Sequence, residues 1–431
     1  MRFKLLIIWN LIKIRLHKWW YRNNLAQLRA IYFKQLLKRC AKAPFYKEIA
    51  AKATDISDFP IINKQLFMQN FEGMNSKGIQ LEKALQVALE AEESRDFSPT
   101  IGPITVGLSS GTSGNRGVFL ANEKERAIWV AAVLDRVIGF SFKKRSVAFF
   151  LRANSNIYDS AKSGRLSFNF FDIFIPIEAH IQRLNALQPT IIVAQPSVLK
   201  LLAKAQEAKT LQIAPSKVIS VAEVLTTEDR AYLAEVFQQK IHQVYQCTEG
   251  FLGYTCPEGT LHFNEDFLII EKRYIDTEKK RFHPIITDLK RESQLVIRYE
   301  LNDIILEKEK PCPCESKMMA VEAIEGRSDD ILQFKNQKGE LVSIFPDFFR
   351  RAIISSSETI EEYALVQDME QSIALFIQSK NSRDFFVASE RIYNLLLQYE
   401  IQDIEILRLS QYPHSLGQKL RRIQNGTQKT L

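Results

Sequence analysis

The chain has 431 residues, 46% of them apolar and 25% charged, with few glycines and prolines; this excludes a disordered chain and leaves room for a large core and two or more domains. Its formal charge of +8 is concentrated, because Met1 to Tyr46 carries basic residues and no carboxylate while the remainder is near neutral. A nucleic-acid enzyme carries its cations through the body of the fold, so nucleic acid is not expected as a partner.

The run FKLLIIWNLIKIRLHKWWY, Phe3 to Tyr21, is not a signal peptide, since Asn10 and Lys13 interrupt it and no small-residue cleavage site follows. Nor is it a spanning helix: Lys4, Lys13, Arg15 and Lys18 leave nothing near the ~20 apolar residues a bilayer core requires. The expectation is an amphipathic helix with Trp19, Trp20 and Leu/Ile on one side and Lys/Arg on the other. Such a helix docks on its own protein or makes peripheral contact with an anionic membrane, and both readings stay open here. Helical spacing of Leu28, Ile31, Leu36 and Leu37 continues to an expected end at Pro44, and Pro60 to Leu66 reads as a second capped start.

LSSGTSGNRG, Leu108 to Gly117, follows the apolar run Ile104 to Leu108. Small residues let the backbone approach an anion, and hydroxyls with free N–H groups donate to phosphate oxygens, so this string suits a triphosphate cradle. Taken alone it suits a Ser/Gly surface turn equally well. No Gly-Lys-Ser/Thr closes it and it lacks dinucleotide spacing, which disfavours two common nucleotide folds. A helix over Glu123 to Phe140 and a strand over Ser146 to Leu151 are expected next, giving a strand, loop, helix, strand order.

Between 168 and 225, FFDIFIPI, TIIVAQ and KVISVAEV read as strands, alternating with helices over Ala179 to Leu187 and Ser197 to Lys209, which points to parallel pairing. Asp229 to Gln239 adds a helix, and QVYQCTEG ends a strand in a polar turn. Alternating apolar and charged residues from 260 to 310 suit antiparallel strands. Downstream of Gly326, a hairpin around Asn336 to Gly339, strands EEYALVQ and SIALFIQ, and a helix over Arg383 to Tyr399 make a small α+β domain. The expected division is a basic amphipathic helical segment over 1–40, a large domain over 41–326 and the small domain over 327–431. Five cysteines without an export signal indicate a reducing, cytoplasmic compartment.

In order along the chain come SSGTSGNRG, PTIIVAQPSVLKLLA, VISVAEVLT, YQCTEG, VIRYELND and EGRSDD. This ordered set resembles the acyl-adenylate-forming, AMP-binding enzymes, most closely the branch of phenylacetate–CoA ligase and the deazaflavin-coenzyme synthetases of methanogens. The resemblance covers roughly residues 40 to 425 and implies an α/β fold, a large adenylate-forming domain of layered sheets and helices followed by a small mobile α+β C-terminal domain. It implies that a small carboxylic acid attacks the α-phosphate of ATP, releasing pyrophosphate and leaving an acyl adenylate that CoA, a carrier protein or an amine then takes up.

The same resemblance assigns residues. Ser109, Ser110, Gly111, Thr112, Ser113 and Gly114 match the loop over the β- and γ-phosphates, with Arg116 where many relatives place lysine. Thr248 and Glu249 match a turn whose glutamate holds Mg²⁺ and whose hydroxyl meets the α-phosphate; Tyr245 is kept there and Gln246 replaces glycine. Asp303 matches the aspartate that accepts the ribose hydroxyls, and Ala222 and Glu223 the segment along the adenine. Gly326, Arg327, Asp329 and Asp330 match the interdomain hinge. In SLGQKLRRI, Lys419 matches the lysine that reaches the carboxylate and α-phosphate in the adenylating pose, although Gln418 adds one residue to that motif.

Cys256 and His262 stand as C-x5-H, and Cys312 and Cys314 as C-x-C. Three cysteines and a histidine form a full tetrahedral set for structural Zn²⁺, and some members of the phenylacetate–CoA ligase branch carry a similar set. Cys247 reads as pocket wall. Phe140, Phe149, Phe150, Tyr158, Phe168, Phe170 and Phe171 suit either core or an acyl site. A membrane-peripheral binding protein that keeps the fold without the chemistry is the competing reading, because Asn115 and Asn302 stand where relatives have other residues.

Overall fold

The helical spacing of the N-terminal segment is realised as two helices, α1 (Arg2–Trp20) and α2 (Leu25–Cys40). The computed structural model describes residues 2–21, 24–94, 96, 99–108, 117–139, 141, 143–151, 165–278, 280–413 and 421–427. Asn24 caps α2 by accepting the Gln27 N–H, and Leu28, Tyr32, Leu36 and Cys40 then share one buried face. Pro44 does not end this helix. It sits in the first turn of a new one, α3 (Pro44–Lys52), where its missing N–H is one that no first turn pairs. Three more helices, α4 (Lys64–Gln69), α5 (Phe71–Met74) and α6 (Leu81–Ser94), add Phe67, Phe71, Met74 and Ala84 to the same core.

The glycine-rich segment joins two strands, not a strand to a helix. After β1 (Thr100–Ile101), β2 (Ile104–Leu108) pairs antiparallel with β3 (Val118–Ala121), and Leu108 lies opposite Val118. Val118–Ala121 directly follows the glycine-rich run and has no β-branched run of its own to mark it as a strand in the sequence. A Cβ at Gly107 would collide with the Phe119 ring, so glycine there is what admits that side chain. Helix α7 (Glu123–Val133) begins behind a capping box made by Asn122 and Glu125. The expected single helix to Phe140 instead widens into a π-type turn over Leu134–Ile138, closed by Gly139 at φ 78°.

β4 (Arg145–Leu151), β5 (Leu166–Asp172), β6 (Ile191–Ala194), β7 (Lys217–Val221) and β8 (Ile241–Cys247) pair in the order β5-β4-β6-β7-β8, all parallel. All four residues of β6 are buried, as a strand covered on both faces requires. Helices Ile177–Leu187, Pro196–Glu207 and Thr227–Phe237 make the crossovers, and Leu184, Leu199, Leu202, Leu233 and Phe237 pack into one cluster against the sheet. The strand read as FFDIFIPI ends earlier, at Asp172. Phe174 and Ile175 are exposed, and Pro176 caps the following helix because it has no N–H for a ladder.

β9 (Gly250–Thr255) turns back antiparallel on β8. With β10 (Leu261–Phe263), β11 (Leu268–Tyr274), β12 (Arg281–Asp288), β13 (Tyr299–Glu300), β14 (Asp303–Glu307) and β15 (Ala320–Arg327), the sheet reaches twelve strands among the described residues. The added strands run β11-β12-β14-β15-β10-β9 toward β8, with β13 on β12.

The chain separates into two compact units, one running to Ile324 without Asn302–Ile304, the other holding Asn302–Ile304 and Glu325–Leu431. In the second, β16 (Leu332–Lys335) and β17 (Leu341–Ile344) form a hairpin. β18 (Ile360–Met369), β19 (Ser372–Ser379), β20 (Glu405–Arg408) and β21 (Ile423–Asn425) form a mixed sheet ordered β20-β19-β18-β21. Helices Pro346–Ile354 and Asp384–Leu397 cover it, burying Phe349, Ile353, Phe385, Ile392 and Leu396. Helix Pro346–Ile354 and the short strands β20 and β21 are not anticipated by any sequence pattern.

Candidate active site

The turn Thr248–Glu249 joins β8 to β9, and its position follows from the ladder that pairs Cys247 with Gly250. The Thr248 hydroxyl donates to a Glu249 carboxylate oxygen at 2.9 Å. The buried Tyr299 phenol lines the same crevice as that carboxylate; burial first, and the Glu249 charge second, raise the phenol above its ordinary range. The Thr248 hydroxyl uses one of the roughly four lone-pair sites of the carboxylate.

Arg291, which no motif in the sequence singles out, fastens this turn. Its guanidinium donates to the carbonyls of Thr248 (2.8 Å), Glu249 (3.3 Å) and Leu120 on β3 (3.2 Å). Gln294 accepts the Leu120 N–H at 3.0 Å, so the same segment holds both backbone groups of that residue. The buried Glu125 of α7 in turn accepts the N–H groups of Glu292 and Ser293 and the Ser293 hydroxyl.

A cavity of about 460 Å³ lies in the first unit between α7 and the parallel strands. Its apolar wall includes Phe119, Trp129, Val137, Phe149, Phe168 and Val193. Strand alternation sorts the aromatic candidates: Phe149 and Phe168 face this cavity, while Phe150 and Phe171 stack on each other at 4.9 Å on the opposite face. Phe170 is not among the lining residues, and Phe140 and Tyr158 lie outside the described residues. Cys247 is wall, as expected.

Thr248, Asp288, Lys290 and Arg291 supply polar lining. Thr248, Arg291 and Phe119 also border a small crevice that contains Glu249, Tyr299 and Gly117. Burial raises the Asp288 carboxyl against the opposing pull of Arg291. Burial, reinforced by Lys13, pushes the Lys290 ammonium down to about 6. Its Nζ sits 3.1 Å from the Tyr32 ring centroid.

Ala222 lines the cavity with φ 67°, a left-handed conformation that costs an alanine about 1 kcal/mol. Glu223 lies beside it and accepts the Ser197 N–H (3.2 Å) and hydroxyl (3.1 Å). Its carboxylate thereby sits at the N-terminus of helix Pro196–Glu207, where the helix dipole favours negative charge. Tyr245 is buried against Phe263 and is not part of the cavity wall.

In the second unit, Arg327 pairs with Asp303 at 3.5 Å, and Asn302 donates to Asp329 at 2.8 Å. Asp330 is buried against Arg421, and Arg422 pairs with Glu362 at 2.7 Å. Ser109 to Gly114, Arg116 and Lys419 lie outside the described residues.

Three of the five cysteines converge on His262. Ligand atoms of Cys256, His262, Cys312 and Cys314 all lie within 4.8 Å of one another. Cys256 Sγ is 3.7 Å from Cys312 Sγ, and Cys314 Sγ is 3.4 Å from His262 Nε2. A tetrahedral zinc with bonds of about 2.3 Å to sulfur and about 2.0 Å to nitrogen would place such pairs roughly 3.8 Å and 3.5 Å apart, which these two separations match, and three thiolates with one imidazole are a donor set that could hold that ion. His262 Nδ1 faces the Met318 carbonyl at 3.0 Å, which fixes the ring with Nε2 turned inward. Closing this site ties the segment between β14 and β15 to the β9–β10 hairpin.

The backbone is similar to that of 2-hydroxyisobutyryl-CoA ligase in its postadenylation state in complex with 2-HIB-AMP (TM-score 0.62, 17% identity, covering 97% of this chain and 88% of that one). It is also similar to an open conformation of that ligase in complex with 2-HIB-AMP and CoA (0.57, 15%, 91% and 90%). A benzoate CoA ligase from Burkholderia xenovorans matches over 75% of this chain and 69% of its own length (0.52, 14%). No family model and no curated protein matches the sequence. The chain therefore has the fold of the adenylate-forming CoA ligases, with a large mixed sheet and a small C-terminal mixed sheet.

Proposed function

We propose that this chain activates an apolar carboxylic acid with ATP and passes the acyl group to CoA, as the phenylacetate–CoA ligase branch would. In the first step a carboxylate oxygen attacks the α-phosphorus, the bond to the bridging oxygen breaks, and pyrophosphate leaves with that electron pair. In the second the CoA thiolate displaces AMP from the acyl carbon. Such chemistry asks for positioning and charge neutralisation more than for a covalent nucleophile.

The observation that carries this reading is the Thr248–Glu249 turn, fastened by Arg291 beside an apolar cavity in a chain with this fold. Glu249 would hold Mg²⁺, which neutralises phosphate charge when bound, and the Thr248 hydroxyl would donate to the α-phosphate. Ala222 and Glu223 would flank the adenine, Tyr245 would back the turn, and Asp303 would accept the ribose hydroxyls. Ser109 to Gly114 and Arg116 would cover the outer phosphates, Lys419 would bridge acid and α-phosphate, and Arg327 would belong to the hinge. Trp129, Phe149 and Phe168 support an aromatic or long aliphatic acid.

The test is pyrophosphate release with a panel of acids. Release with apolar acids and not with acetate is expected, and thioester should form with CoA. Thioester on a phosphopantetheinylated carrier, and none on CoA, would move the acceptor to a protein. No release with any acid would remove the proposal.

A further inference from the structure

Helix α1 is apolar on two sides, not one. Ile7, with Phe3, Leu6, Leu11 and Ile14, packs on Ala127, Val130 and Ala131 of α7, and His17 meets the Tyr32 hydroxyl of α2. The remaining apolar residues, Leu5, Ile8, Trp9, Ile12, Leu16, Trp19 and Trp20, are 42% to 74% exposed. At about 100° per residue these seven fall within an arc of about 120° that runs the length of the helix. Lys4 and Arg15 follow one border of the arc and Arg2 and Lys13 the other, Lys18 lies farther round at the C-terminal end of the helix, and α1 carries no carboxylate. Arg15 pairs with Asp135 behind it at 2.9 Å. The sequence expectation of one apolar and one basic side is thus corrected: four of the five Lys and Arg residues of α1 occupy the seams between two apolar faces.

We propose that the exposed stripe of α1 seats this chain on an anionic lipid bilayer, with the helix lying in the plane of the interface. Three observations select that occupant. Tryptophan, with an apolar body and a polar N–H, suits the headgroup boundary, and three of the chain's four tryptophans stand on this stripe. Cations along both borders can snorkel toward anionic headgroups while the stripe enters the acyl region. Among the described residues no helix is long and apolar enough to cross a membrane, so the contact is one of lying on the surface. Because the opposite face is already docked, α1 is presented as a formed helix. Trp129 of α7 touches both that docked cluster and the acid cavity, so the membrane-facing helix backs the cavity wall.

The test floats the full-length protein with vesicles of phosphatidylcholine alone or containing roughly 30% phosphatidylserine. Flotation is expected with the anionic vesicles only, and bromine on the lipid acyl chains should quench tryptophan fluorescence. The double variant Trp9→Ser/Trp19→Ser should lower partition roughly tenfold or more with an unchanged melting temperature. Lys4→Glu/Lys18→Glu should abolish the preference for anionic lipid. Wild-type protein that stays unbound, or binding that both double variants leave unchanged, overturns the proposal. So does a dimer that the Trp9→Ser/Trp19→Ser change dissociates without any vesicle binding, which would assign the stripe to a second copy.

Discussion

Arg291 Nη2 donates to the carbonyl oxygen of Thr248 at 2.8 Å, joining two residues 43 positions apart. Because the same guanidinium also holds the Glu249 and Leu120 carbonyls, Arg291→Ala would leave three acceptors unpaired beside the cavity. A loss of about 2–3 kcal/mol in denaturant unfolding is expected, together with loss of acid activation. Arg291→Lys should recover little of either, since an ammonium lacks the planar fork. Stability and turnover equal to wild type in the alanine variant would separate Arg291 from the site.

Asp303 lies 3.5 Å from Arg327, within the second unit. Asp303→Ala should raise the Michaelis constant for ATP about tenfold or more with a near-normal melting temperature, because an alanine there has no oxygen for the ribose hydroxyls that Asp303 is proposed to accept. An unchanged ATP dependence would leave the pair with a structural role only.

The sulfur and nitrogen separations around His262 lead to a third expectation, namely about one zinc per chain by elemental analysis. Cys312→Ser with Cys314→Ser should lose the metal and lower the melting temperature, since metal binding to a preformed site contributes to folding. Protein expressed with ample zinc and isolated without any would contradict it.

Lys290 sets a pH dependence. Its folded value of about 6 lies far below that of a free lysine. Between these two values the unfolded chain binds the proton that the folded chain has released, so this group makes the protein more stable as pH rises from about 6 toward 10. Lys290→Met should therefore stabilise most near pH 6–7 and scarcely at pH 10. Equal gains across that range, read by thermal unfolding of both proteins, would mean that Lys290 stays charged in the fold.

The parallel half of the sheet was legible because β6 and its neighbours are β-branched runs separated by helices, a pattern dictated by burial on both faces. The hairpin at Leu108 and Val118 was not, since β3 is a mixed run behind the glycines and pairs with β2 rather than with the large sheet. Thr248, Glu249 and Ala222 could be picked out because they sit in short ordered motifs, and the structure sets Thr248 and Ala222 in the wall of one cavity, with Glu249 in the crevice beside it. Arg291 carries no such local signal: its partners are 42 to 171 residues away. The two apolar faces of α1 were missed for another reason. Helical periodicity reveals one stripe against a polar background, and here the background is a second stripe.

The most direct measurement is acid-dependent exchange of labelled pyrophosphate into ATP, run on the wild type and on Glu249→Gln. Exchange isolates the first half-reaction, needs no acceptor, and reports the step in which the Glu249 carboxylate would act through Mg²⁺. The wild type should exchange with an apolar aromatic or aliphatic acid, and Glu249→Gln should do so about a hundredfold more slowly with an unchanged circular dichroism spectrum. Exchange in the variant at the wild-type rate would contradict the assignment of Glu249, and no exchange by the wild type with any acid would contradict acid activation itself.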